Sequence, residues 1–234
     1  MLKSVNSRFT VYVRLLNEGT PCSRPTSAVH LKNGAYSLLP TADYDSNDEE
    51  WEFVPGSIVF CEEARDGGSA FLRAEKLHPV QLSALVGLPL IGANRAGELA
   101  TFSFGALREV QTSRGVRQKP DLALHLQCAW RLVGGDSVLL GSSDLYYPAD
   151  GREDRSDFNW DIPGASRRDA LMEELMRGDE RLTVVNAELG IAGALKIQFN
   201  QNYCFEIMPN NSIDDEYWRL FKPGTDDEHL VIEG

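Results

Sequence analysis

From Asp121 to Val133 apolar and polar residues alternate, with Leu122, Leu124, Leu126, Cys128 and Trp130 in one phase and His125, Gln127 and Arg131 in the other. Side chains along an extended chain point to opposite faces in turn, so this pattern predicts one long strand with a buried and a wet face. Gly134-Gly135-Asp136 then predicts a tight turn, with Val138 to Gly141 as the hairpin partner. A chain built on such a strand needs a sheet with a covered face, and the sequence supplies many more strand signals around it.

In the first third, Phe9 to Leu16 reads as a strand, followed by turns at Asn17-Glu18-Gly19-Thr20 and Lys32-Asn33-Gly34. Trp51-Glu52-Phe53, a Pro55-Gly56 turn and the run Ile58-Val59-Phe60-Cys61-Glu62 come next, and Asp66-Gly67-Gly68 leads into Ala70 to Ala74. Five short strands in so few residues predict a small SH3-like barrel over residues 1–78. Leu77-His78-Pro79 is the expected junction, and a helix from Pro79 to Val86 is expected to open residues 79–234. In that second part Leu99 to Gly105, Leu182 to Leu189, Ala194 to Phe199, Tyr203 to Met208, Tyr217 to Phe221 and His229 to Ile232 read as strands. Leu171, Met172, Leu175 and Met176 are spaced for a helix over Arg167 to Arg177, ending at Gly178, and Pro148 to Ser166 reads as a polar surface loop. The expected class is α+β, a small barrel followed by a mainly antiparallel sheet with about two helices.

The chain has 234 residues and a formal net charge of −12. Before Leu77-His78-Pro79, up to His78, there are 8 basic and 11 acidic residues, and 15 and 24 after it, so the excess sits mostly in the second part. That balance repels phosphate backbones and argues against a nucleic-acid partner. Val80 to Ala93 is the longest mostly apolar stretch, too short and too interrupted for a membrane span, and the N-terminus lacks the pattern of a secretory leader. Cys22, Cys61, Cys128 and Cys204 have neither zinc-ligand spacing nor the density of a disulfide scaffold, so reduced thiols in the cytoplasm are expected.

Two segments carry family resemblances. Val11-Tyr12-Val13-Arg14-Leu15-Leu16-Asn17-Glu18-Gly19-Thr20, Arg24-Pro25 and Glu49-Glu50-Trp51-Glu52-Phe53-Val54-Pro55-Gly56-Ser57-Ile58-Val59 resemble a family of very small, uncharacterised bacterial proteins. Ser23 stands where that family has an aromatic residue before Arg-Pro. His125 to Leu132, Gly141 to Pro148, Phe158-Asn159-Trp160-Asp161 and Trp218-Arg219-Leu220-Phe221 resemble a bacterial family of unknown function. The resemblances imply a fold and no reaction. Small acidic bacterial families of this type include immunity proteins, an association by type that no motif carries.

The candidate site residues follow from the polar phase of the long strand. His125, Gln127 and Arg131, with Asp144 and Asp161 from neighbouring segments, would form a polar pocket if that face were concave; an ordinary wet sheet face explains the same pattern. Trp218-Arg219 and Trp160 are candidate binding anchors, since tryptophan and arginine concentrate where partners dock, whereas Trp130 lies in the apolar phase and is expected in the core. Asp43, Asp45, Asp48, Glu49, Glu50 and Glu52 lack the glycine and closing glutamate of a calcium loop and read as a solvated run, with Asp48, Glu49 and Glu50 able to steer a basic partner. No phosphate loop, nucleophile elbow or zinc helix is present, and the sequence assigns no catalytic residue, metal ligand or cofactor. The leading expectation is a non-enzymatic cytoplasmic binding protein with a protein partner, including an immunity protein that neutralises a basic toxin. A small-molecule or sensor domain around His125 and Arg131 is the alternative, and a hydrolase using those residues a further one.

Overall fold

Val11, Val13 and Leu15 are buried at every second position of β1 (Arg8–Leu16), as a strand with one face in a core requires. The computed structural model describes residues 8–31, 34–42, 44–113, 115–178 and 181–234, and the chain divides into two units, Met1–Gln81 and Leu82–Gly234. Met1 to Ser7, Lys32 and Asn33 of the expected turn, and Asp43 of the acidic run lie outside the described residues.

In the first unit β2 (Ser23–His30), β3 (Ala35–Leu38), the short β4 (Glu50–Trp51), β5 (Ile58–Asp66) and β6 (Ser69–Leu77) join β1 in the order β2-β3-β5-β6-β1-β4. β1 also pairs antiparallel with β2, from Arg8↔Val29 to Arg14↔Ser23, and parallel with β6 at Val11↔Leu72. The sheet therefore closes on itself as a ring of five strands. Four antiparallel steps bring the fifth strand back pointing the same way as the first, so the closing pair has to be parallel. Val11, Val13, Ala28, Leu38, Trp51, Phe53, Val59 and Ala74 fill the interior. The Pro55-Gly56 turn forms, with Ser57 N donating to Val54 O at 3.1 Å and Gly56 N to Leu38 O at 2.9 Å.

The second unit contains two five-stranded sheets. β7 (Leu90–Ala96), β8 (Leu99–Thr112) and β9 (Gly115–Leu126) form one with β15 (Glu216–Phe221) and β16 (Leu230–Glu233), in the order β16-β15-β9-β8-β7. β10 (Ala129–Gly134), β11 (Ser137–Gly141), β12 (Val184–Leu189), β13 (Leu195–Phe199) and β14 (Tyr203–Met208) form the other, in the order β11-β10-β14-β13-β12. Aromatic side chains meet between them: Phe102 of β8 lies 5.2 Å from Trp130 of β10 and 4.7 Å from Phe205 of β14, ring centre to ring centre. Trp218, fully buried on β15, donates its Nε1–H to Gly193 O at 2.7 Å, tying the first sheet to the turn before β13. Beyond residue 104, β8 and β9 run on as a two-stranded ribbon, bent at Gly105, where φ is +86° and any Cβ would lie 2.4 Å from the Asp121 carboxylate that accepts from Ala106 N. The helix α1 (Arg167–Arg177) packs against β7 and β11, one edge strand of each sheet.

Three expectations are corrected. The fold is mostly β rather than α+β, 52% strand and 12% helical, and α1 is the one α-helix among the described residues. In place of a helix over 79–86 there is a single 3-10 turn, Leu82–Leu85, because one turn before Gly87 cannot repay helix nucleation while Leu82 and Leu85, three apart, both reach the core. The long strand over 121–133 is two strands, β9 and β10, in different sheets. Gln127 N still bonds Tyr217 O at 2.8 Å beside the first sheet, and Ala129 already pairs with Met208 in the second. Both sheets need the same phase of the sequence inward, so the alternation runs through the crossover without a sign of it.

Candidate functional site

Ser166 and Asp169 begin α1 with reciprocal caps: Asp169 N donates to Ser166 Oγ at 3.1 Å, and the Asp169 carboxylate accepts from Ser166 N at 3.4 Å and Gly164 N at 3.0 Å. The same carboxylate takes the fork of Arg95 on β7, Nε to Oδ1 at 2.6 Å and Nη2 to Oδ2 at 3.0 Å. Nη2 also donates to Trp160 O at 2.8 Å and Ile162 O at 3.1 Å. One guanidinium thus fastens β7, the loop before α1 and the first turn of α1 together, with side-chain exposures of 9% for Arg95 and 13% for Asp169. Burial pushes the Asp169 carboxyl upward, but the bonds from Arg95 and Ser166 outweigh it and hold it below its usual range; the bond to Asp169 raises Arg95. Arg168, buried beside them, donates to Gly97 O at 3.2 Å and Glu98 O at 3.1 Å, holding the β7–β8 turn against the helix, and burial lowers its pKa.

These fastenings leave an open groove of about 710 Å³ along β7. Ala93 and Ala96 line it from the strand, Met172 and Met176 from α1, and Asp161 and Glu173 also border it. Its lining holds one cation, Arg95, against three carboxylates; Asp169 is bound to Arg95, Glu173 is paired with Arg177 of the same helix, and Asp161 is exposed at the border. β7 ends its sheet, so the groove runs beside an edge that no strand pairs from Gly92 to Ala96 among the described residues. The volume lies within the usual span of ligand sites, about 300 to 1,000 Å³. Methionine side chains on one wall can repack around different apolar shapes.

Of the residues chosen from sequence, His125 and Arg131 are on different sheets. His125 on β9 faces outward between Thr101 and Arg219, edge-on to Phe221 at 4.8 Å, and Phe221 stacks on His229 at 4.4 Å. Burial first, then the Arg219 charge, lowers the His125 pKa, while Glu216 opposes them. Arg131 lies on the outer face of the other sheet, paired with Glu206 at 2.6 Å in a row that continues across the strands to Lys196 and Glu188. That alternating row is the charge pattern of a wet sheet face. Gln127 is exposed in the crossover, so the pocket expected of His125, Gln127 and Arg131 is not assembled.

Asp144 is a turn residue, accepting from Gly141 N at 2.7 Å with Arg167 at 3.5 Å. Trp218 is core rather than an exposed anchor, and Arg219 is held by both oxygens of Glu216. Trp160 is half-buried against Tyr146, 5.9 Å between ring centres, and its carbonyl serves Arg95. Asp161 borders the groove. In the first unit Glu49 receives Arg24 and the Trp51 indole N–H, Glu50 receives Asn17, and Asp48 is exposed. Glu49 is therefore a tie between β2 and β4 rather than a free steering charge.

Comparisons with protein-family models, curated proteins and solved structures give no match. Among the described residues no cluster of three or more His, Cys, Asp or Glu is placed to hold a metal ion, and no helix is long and apolar enough to cross a membrane. Pairing across the ribbon brings Arg108, Lys119 and Arg117 to one face, a grouping that net charge alone does not reveal, with Arg108 tied to Pro223 O at 2.6 Å. The groove was missed as well, because Arg95 and Asp169 lie 74 positions apart. The available signal was Arg95-Ala96-Gly97-Glu98-Leu99, a glycine-led two-residue connection that marks a hairpin and hence a strand before it.

Proposed function

We propose that this chain is a non-enzymatic binding protein whose partner is another protein presenting positive charge to the second unit. The observation that carries the reading is the groove along β7, open, bordered by a strand edge and methionines, and carrying more carboxylates than cations. A chain of net charge −12 draws a basic partner at long range, and the groove supplies a place for short-range contact. Neutralising a basic toxin as an immunity protein is one case of this reading and uses the same chemistry. That His125 and Arg131 lie on two different sheets supports this reading over the small-ligand and hydrolase alternatives, which place the two side chains together.

The test is capture of partners from host lysate by the tagged wild-type chain and by an Asp161→Lys/Glu173→Lys variant, at low and high salt, with both proteins checked for unchanged thermal unfolding. The reading expects a stoichiometric basic protein that is retained by wild type, released by salt and lost on the variant. Equal retention by both chains moves binding away from the groove, and no retained protein on either removes the reading.

A further inference from the structure

We propose that the open edge of β7 accepts an extended, basic segment of the partner as an added strand lying between β7 and α1; the proposal rests on the protein-binding reading above and names how the partner is held. The register settles which backbone groups are free. A two-residue turn, Gly97-Glu98, joins β7 to β8, with φ of +61° at Gly97, so the flanking pair Ala96↔Leu99 exchanges hydrogen bonds. Counting back in an antiparallel ladder, Asn94↔Thr101 is the next such pair, and Ala93 and Arg95 turn their N–H and C=O groups to the outer edge. Among the described residues no strand pairs there.

The chain itself already uses this edge for backbone pairing. Just before the free stretch, Pro89 bridges antiparallel to Thr183, and Leu90 N donates to Leu182 O at 2.8 Å. An added segment lies farther along the same edge, at Ala93 and Arg95. From Gly92 to Ala96 the edge has neither lysine nor proline, the residues that usually guard exposed strands, and the charge of Arg95 is turned onto Asp169. Ala93 and Ala96 let a backbone come to strand spacing, about 4.8 Å. Side chains of the added strand on the helix side meet Met172 and Met176, while the exposed carboxylate of Asp161 favours lysine or arginine and Glu173 is already paired with Arg177.

The experiment uses the full chain and capped, fluorescent seven-residue peptides of alternating valine and lysine, followed by anisotropy. Three companions are measured: valine alternating with glutamate, and two lysine peptides N-methylated on alternate residues, one in each phase. An added strand uses one phase of N–H groups only. The expectation is binding of the lysine peptide, at least tenfold weaker binding of the glutamate peptide, and at least tenfold loss on methylating one phase with less than twofold on the other. Ala93→Pro removes an outward N–H without touching the β7–β8 ladder and should weaken the lysine peptide at least tenfold; the methylated peptides make the same test if this variant does not fold. Equal effects of both methylated phases overturn strand addition and leave the protein-binding reading standing. Failure of the lysine peptide to bind at millimolar concentration overturns the inference, and the capture experiment then decides the broader reading separately.

Discussion

In the first unit every strand of the ring has a neighbour on each side, β1 even carrying β4 as a third, whereas each sheet of the second unit stops at two open ends. Closure solves the problem of unpaired backbone by geometry alone, and small apolar residues can do the rest. An open sheet depends on other parts of the chain to steady its end strands: α1 packs against β7 and β11, and Arg95 and Arg168 hold it there. The closed unit offers no place for a strand in its ring, and the open unit offers one along β7. Binding by strand addition is therefore available to one half of the molecule through the same feature that makes that half harder to stabilise.

The comparison breaks most visibly if the open unit loses the tie between its sheets. Trp218→Ala empties a fully buried site and removes the bond to Gly193 O, and should lower the unfolding free energy by about 4 kcal/mol in denaturant titration; a change below about 1 kcal/mol would mean the sheets hold without it. Next in size, Asp169→Asn leaves the Arg95 guanidinium buried without its carboxylate and weakens the helix cap, for a loss of about 3 kcal/mol. Hydrogen exchange on that variant should show faster exchange in α1 with the ring amides unaltered, and uniform acceleration through both units would contradict the division of labour.

A smaller effect concerns pH. Burial holds the folded pKa of His125 and of His229 below the unfolded value of 6.5, so the unfolded chain binds more protons in the window below that value. Stability of the second unit is then full above about pH 6.5 and declines as pH falls through the folded values, and a His125→Gln/His229→Gln variant should show a flatter profile. Smallest is thiol reactivity. Burial pushes the Cys61 thiol up to about 12 and Cys128 up to about 11, while Cys22 is exposed. Alkylation of the native protein should mark Cys22 first, and rapid labelling of Cys61 or Cys128 would show that their unit opens readily.

Local signals were readable wherever one segment decides its own structure. Ser166 and Asp169 around the spaced Leu171, Met172, Leu175 and Met176 specify α1, and Gly134-Gly135-Asp136 places the β10–β11 turn. What could not be read depends on partners distant in sequence. Leu90 to Ala96 has weak strand character and becomes β7 by pairing with β8 and by the Arg95–Asp169 contact. His125 and Arg131 looked like neighbours because alternation reports which way a side chain points, and says nothing of which sheet it points from.

The crossover at Gln127-Cys128 has a mechanical consequence. Leu126 of one sheet and Ala129 of the other are three residue steps apart, at most about 11 Å of chain, so the link caps how far one sheet can slide past the other before pairs break on both sides.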